Sequence, residues 1–388
     1  MTGADRPFTA AAVPAVERRC RETLAALLSR LGEVAGDGLA GAALGGALGR
    51  GEAPTTVDAN GAFVTPVPFE LLVVLDATPG RAASVAPRLR RELAATARAR
   101  SADVRLATAA RSALAQLPPS IANVETAAAA RVVAGPAALL APLAPLSTAR
   151  PGADEALALL VRRGASLLHA ERALSRRAPS RAALLAGQAA VHAADLALGT
   201  ALLVSAGRYR PTDAARDAEL RLLAAPAGDG PAPAGFHLRM SRTRFRDVVE
   251  RHRAAVEAAR EVDLPDSLGE VRAQAGRATD RFVEVLRLLE EERLSRPLPS
   301  WTDYVRALAE RNGGSPGPGL FEASREEELP SRRSVRAWPV AERLAPALAT
   351  LLDWDPGDLA VVPLLLDLPE DATREAIGAR LASLAASA

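Results

Sequence analysis

Val13, Val16, Cys20, Leu24, Leu27, Leu28, Leu31 and Val34 recur at three- and four-residue spacing with arginines between them. This pattern predicts an amphipathic helix from about Val13 to Val34, ended by Gly36-Asp37-Gly38. A small-residue strand is expected at 39–44, running straight into Gly45-Gly46 and then a one-turn helix or loop. Asn60-Gly61, set between β-branched residues, signals a hairpin. That hairpin leads to the apolar run Leu71-Leu72-Val73-Val74-Leu75, a buried strand over 70–75 with Glu70 at its mouth. An arginine-rich amphipathic helix is expected at 81–100, and further strands at 102–108 and 130–135. Strand, crossover helix and strand make the grammar of an α/β sheet.

From Asp154 onward the pattern is helical only, with helices expected at 153–174, 180–206, 212–224, 241–262, 265–294 and 300–312. Residues 225–235 and 313–319, rich in Gly and Pro, read as flexible joints. Two or three further helices are expected after 335, with 359–368 an ambiguous apolar run. These changes divide the chain into an α/β domain with its N-terminal helix (1–148), a helical bundle (149–225), a helical extension (236–312) and a C-terminal helical segment (335–388). Residues 182–207 are nearly free of charge, but Gln188, His192 and Asp195 fall on one helical face. Such a polar stripe fits a buried helix in a bundle better than a membrane span.

Composition narrows the chemistry. All 48 basic residues are arginine, as biased G+C-rich coding would produce. Schiff-base lysines, phosphate-cradling lysines and lysine general bases are therefore excluded. The 46 acids are interleaved with the arginines, so no basic tail dedicated to nucleic acid is expected. Cys20, the one cysteine, permits neither an intramolecular disulfide nor a multi-cysteine zinc site. The N-terminus lacks the layout of a secretory signal, and a cytoplasmic location is expected. His192 reads as a core histidine near Asp195. His169, His237 and His252 stand apart from acid clusters of metal-ligand spacing, and no serine sits in a G-x-S-x-G context.

A strand that ends in two glycines before a helix start suits the close approach of a phosphate. A carboxylate on the adjacent strand would be placed to hold Mg²⁺ against it. In order, "LGGALGRGE", a hairpin and "PFELLVVLD" resemble the DNA polymerase β-type nucleotidyltransferase superfamily, in particular a bacterial branch with a "GGxGRGEG" turn and a long helical C-terminal half. The similarity extends through "ADVRLAT", "LPPSIANVE", "RVVAG", "EALALLVRRGASLL" and "GTALLVSAGRYRPT", over about residues 35–220.

The resemblance implies a nucleotidyltransferase-like α/β domain, a small mixed sheet with helices, ahead of a mostly α-helical half. It matches Gly45, Gly46, Arg50 and Gly51 to the nucleotide-binding turn. Glu70 and Asp103 become the catalytic, metal-holding acids, with Mg²⁺ as the implied cofactor if nucleotide binding is retained. Pro68 falls where the family's first acid stands, and Ala193 and Thr200 fall where members carry a lysine and an aspartate. Two-metal transfer needs several carboxylates around ions of total charge +4. The expectation is a catalytically degenerate protein that binds a nucleoside triphosphate or a protein partner in the former cleft. The alternatives are an active Mg²⁺-dependent enzyme acting on a small molecule or a protein, and a structural scaffold.

Overall fold

The computed structural model describes residues 6–58, 61–225, 240–263, 267–312, 335–353, 359, 361–369 and 371–385. The chain groups into two compact units. The first holds Met1–Gly152, Gly207–Leu222 and Arg253–Leu264, and the second holds Ala153–Ala206, Leu223–His252 and Pro265–Ala388. This grouping crosses the expected boundary at 225, because a segment that follows two helices of the second unit belongs to the first.

In the first unit, helix α1 (Pro14–Ala35) begins with Pro14, whose missing N–H costs nothing at that position, and ends where Gly36 turns to φ +55°. Strand β1 (Leu39–Gly45) leads into the one-turn helix α2 (Gly46–Arg50). Strands β2 (Thr55–Val57) and β3 (Phe63–Val64) form the expected hairpin, with Val57 opposite Phe63; Asn60 lies outside the described residues. Strand β4 (Phe69–Leu75), helix α3 (Pro79–Arg98) and strand β5 (Val104–Ala110) make a parallel crossover. Helix α4 (Ile121–Ala129) is followed by β6 (Arg131–Ala134). The main sheet has the order β5-β4-β1-β6, mixed in direction, so the three strands expected at 39–44, 70–75 and 102–107 are adjacent.

Alternation along β4 builds two cores. Phe69, Leu71, Val73 and Leu75 face Leu27 and Leu31 of α1 and Leu89 and Leu93 of α3. Val74, with partly buried Leu72, faces Leu114, Leu139 and Leu143. Each fully buried aliphatic side chain of this size contributes about 1.5–3 kcal/mol. The Leu139 and Leu143 side chains come from a 3₁₀ stretch, Ala137–Thr148, that the apolar pattern did not announce. Pro142 and Pro145 within it lack the N–H groups an α-helix would need.

Helix α5 (Ala153–Leu174) and α6 (Arg181–Ser205) open the second unit, and α7 (Asp213–Ala224) returns to the first as far as Leu222. Helix α8 (Arg242–Ala258) stops short of the expected 262, because Val262–Asp263 forms a strand, β7, parallel to β2 in a small sheet of order β3-β2-β7. Helices α9 (Leu268–Leu294), α10 (Trp301–Arg311), α11 (Val340–Asp353), α12 (Val361–Leu366) and α13 (Arg374–Ala385) complete the second unit. Its core includes Phe282, Trp301 and Tyr304, the last two edge to face at 5.8 Å. The joint expected at 313–319 and all but Pro226's predecessor in the joint at 225–235 lie outside the described residues.

Helix α6 is the one described helix long and apolar enough to cross a membrane, and half of its most apolar window is buried inside the protein. Gln188 and Asp195 are buried, and Arg281 of α9 donates to Asp195 at 2.9 Å. Burial pushes the Asp195 carboxyl up, against the attraction of Arg281. The polar stripe thus has protein partners within its own unit.

Candidate functional site

The expected site forms around the antiparallel pairing of β1 with β4, which sets Gly45 opposite Glu70. Gly46 follows at φ +60°, a conformation that side-chain-bearing residues resist. A Cβ on Gly46 would stand 2.7 Å from Cδ of Glu70, so the glycine is required by the acid itself. The Glu70 carboxylate therefore lies against the backbone turn that a phosphate would approach. A Cβ on Gly45 would meet the hydroxyl of Thr126 at 3.5 Å, which places α4 along the same turn.

Across the other edge of β4, the parallel register puts Arg105 opposite Glu70, and its Nη1 stands 3.7 Å from Oε1. Both side chains are substantially exposed, so the pair contributes at most about 1 kcal/mol. Asp103 precedes β5 by one residue. Its carbonyl accepts from the Phe69 N–H at 2.8 Å, which places it across from Pro68, while its side chain is exposed. Among the described residues no group of three or more His, Cys, Asp or Glu side chains converges as a metal site would require. Glu70 beside a guanidinium, with proline two positions earlier, is not the donor set of a two-ion Mg²⁺ centre. Ala193 and Thr200 both lie in α6, in the second unit, where the Thr200 hydroxyl donates to the Leu196 carbonyl at 2.8 Å.

Arg50 and Gly51 have a different setting from Gly45 and Gly46. Arg50 is only 7% exposed, and its guanidinium meets three carboxylates. Nε donates to Glu52 at 2.6 Å, Nη1 to Glu125, and Nη2 stands 3.7 Å from Asp213. The other oxygen of Glu125 accepts from the Tyr209 hydroxyl and from Arg216 Nη1, each at 2.9 Å. Arg216 also donates to Asp213 and, at 3.2 Å, to the Arg210 carbonyl. Glu52 accepts from the Asp213 N–H at 3.0 and 3.2 Å, satisfying a backbone donor at the start of α7. Burial pulls the Arg50 guanidinium down, but Glu125, Asp213 and Glu52 outweigh it and hold it above its ordinary value. Burial and the Glu125 carboxylate together push the Tyr209 hydroxyl well up.

The arginine expected at the phosphate turn is therefore fully engaged in a buried network, and the Arg50–Glu52 pair is more than a local surface contact. Gly51, at φ +73°, packs against the chain's N-terminal arm, where an added Cβ would lie 2.8 Å from the Pro7 carbonyl. Arg131 holds that arm in place. Nη1 donates to the Arg6 carbonyl at 2.6 Å, Nη2 to those of Pro7 and Leu48, and Nε to that of Gly49 at 2.7 Å.

The roles of Glu125, Tyr209, Asp213 and Arg216 were not foreseen. A signal for Glu125 and Tyr209 was present in "LPPSIANVE" and "GRYRPT", whose polar residues interrupt otherwise apolar or small-residue stretches, while Asp213 and Arg216 follow in an ordinary charged helix start. Comparison with known proteins adds nothing to these observations, since no family model, curated protein or solved structure matches the chain.

Proposed function

We propose that the first unit is a nucleotidyltransferase-like domain without transfer chemistry, serving as a binding module whose contact point is the Gly46–Glu70–Arg105 mouth and whose ligand is a protein partner. The order of strand, Gly-Gly turn, one-turn helix, hairpin and acid-bearing strand supports the family reading, together with the antiparallel pairing that sets Gly45 on Glu70. The observation that carries the loss of chemistry is Arg105 in register with Glu70. A guanidinium there competes with Mg²⁺ for the Glu70 carboxylate. A free phosphate at the turn would meet the Glu70 carboxylate as a like charge.

A protein partner is favoured over a free nucleotide because β5 is an edge strand of the sheet. Among the described residues no further strand pairs with its outer side, so its backbone groups can take an added peptide strand. The Glu70–Arg105 pair beside it offers both signs of charge.

The test uses α-³²P-labelled nucleoside triphosphates with Mg²⁺ or Mn²⁺, and thermal melting with the same ligands unlabelled. No labelled product and no Mg²⁺-dependent rise in Tm are expected. Label incorporation that disappears in both Glu70→Gln and Asp103→Asn would establish an active transferase instead. A nucleotide that saturates the mouth at about a hundred times its Kd would add about 2.7 kcal/mol of stability. A Tm rise of that kind, lost in Glu70→Gln, would replace the protein partner by a nucleotide.

A further inference from the structure

We infer that the outer face of α3 binds the phosphodiester backbone of a nucleic-acid duplex, independently of the Glu70 mouth. Charge in this chain is nearly balanced overall, at 48 arginines against 46 acids, yet residues 79–111 carry eight arginines and only Glu92 and Asp103 as acids. Helix α3 buries Ala82, Ala86, Leu89, Leu93 and Ala97 against the sheet. Arg81, Arg88, Arg91 and Arg98 project from the opposite side and all four are exposed. Their spacing of seven, three and seven residues keeps them on one ridge, about 26 Å long at 1.5 Å per residue.

The cations of this ridge outnumber the acids near them, since among the described residues Glu92 alone lies close, 3.7 Å from Arg91 and within electrostatic reach of Arg88. Among the described residues, no carboxylate lies in ion-pair range of Arg81, Arg88 or Arg98; Arg98 Nε turns back to the Ala94 carbonyl at 3.2 Å. The one acid on the helix, Glu92, is held at 2.6 Å by Arg30 of α1, leaving Arg91 a 3.7 Å contact with it. Arg19 of α1 extends the ridge beyond its last turn, donating to the Arg100 carbonyl at 3.3 Å. Arg50, Arg216 and Arg293, by contrast, are buried against carboxylates.

The residues between the ridge arginines decide the partner. Ala83, Ser84, Pro87 and Ala95 are small and exposed, so a polymer backbone can approach the helix closely. A helix that lies in a lipid surface inserts large apolar side chains, but Leu89 and Leu93 are fully committed to the protein core. Guanidinium groups pair with phosphate in a two-pronged manner, and none of these side chains is placed to read base edges in a fixed order. Binding is thus expected to be independent of sequence and dominated by counterion release.

Fluorescence anisotropy of a labelled DNA duplex of about 20 base pairs, titrated with the full chain, tests this. With four phosphate contacts, log affinity should fall with log salt at a slope of about −3.6, or roughly a hundredfold loss between about 50 and about 200 mM. The triple variant Arg88→Gln, Arg91→Gln, Arg98→Gln, on the exposed side of the helix, should keep the wild-type melting curve while the slope shrinks to about −1. Arg296→Gln, at a partly exposed arginine of the second unit paired with Glu310, should leave binding unchanged. An undetectable anisotropy change for both duplex DNA and duplex RNA of that length would overturn the inference. So would equal weakening by Arg296→Gln, or binding by the ridge to phosphatidylserine vesicles in preference to either duplex.

Discussion

Glu125 holds more of the first unit together than any residue at the mouth. Its carboxylate accepts from Arg50, Arg216 and Tyr209, all buried or nearly so. Removing that charge leaves Arg50 to Glu52 and Asp213 and Arg216 to Asp213, so the expected loss lies below the about 3–5 kcal/mol of a buried ion left wholly unpaired. Glu125→Gln should lower the urea midpoint of the first unit accordingly. Glu70→Gln should change it by less than about 1 kcal/mol, because Glu70 and Arg105 are both open to solvent. Glu171 gives the second unit a pH signature. Burial raises its carboxyl pKa, opposed by the hydrogen bond from Thr279 and reinforced by Asp280. A carboxyl raised in the folded state contributes stability that is complete below its unfolded pKa and lost as pH rises through the folded value. Glu171→Gln keeps an acceptor for Thr279, so the variant and wild type should melt together near pH 4. The variant should become progressively the more stable of the two toward pH 8, as calorimetry would show.

At the scale of elements, the sequence was most informative where one physical signal acted alone. The run 71–75 and the heptad-like spacing of 13–34 each identify their element, since burial of one continuous face decides both. The hairpin was legible from turn chemistry. Strand β7 was not, because two residues carry no periodicity and its pairing with β2 joins positions some two hundred residues apart. Helix α6 was read correctly as a helix from its composition, while its partner Arg281 depends on how three helices pack. The mouth followed the same rule. Gly45, Gly46 and Glu70 come together through one local pairing, whereas the fates of Arg50 and Arg105 depend on side chains from other strands and helices.

For the whole molecule, the notable fact is that the first unit is interrupted in sequence. Gly207–Leu222 belongs to it, although Ala153–Ala206 belongs to the second unit. A chain cut after Gly152 therefore lacks Tyr209, Asp213 and Arg216 and leaves Glu52 and Glu125 with Arg50 alone among the partners described above. The fragment 1–152 is expected to show broad, non-cooperative melting and to bind 8-anilinonaphthalene-1-sulfonate, where the intact protein melts cooperatively and does not. Two separate fragments mixed after expression, 1–152 and 153–388, should recover the cooperative transition; their failure to do so while each remains soluble would place the stability of the first unit elsewhere.

The same interruption sets an order of events during translation. When residue 152 leaves the ribosome, Arg50 and Glu125 are already present, but Arg216 has yet to be made. At about 5–20 residues per second the wait between the emergence of residue 152 and that of residue 216 is on the order of 3–13 s, since the exit path delays both alike. Through that interval the nascent sheet cannot close over its charges. The first unit thus finishes folding only after the first two helices of the second have emerged, and synonymous codons across 153–216 become a means of timing its completion.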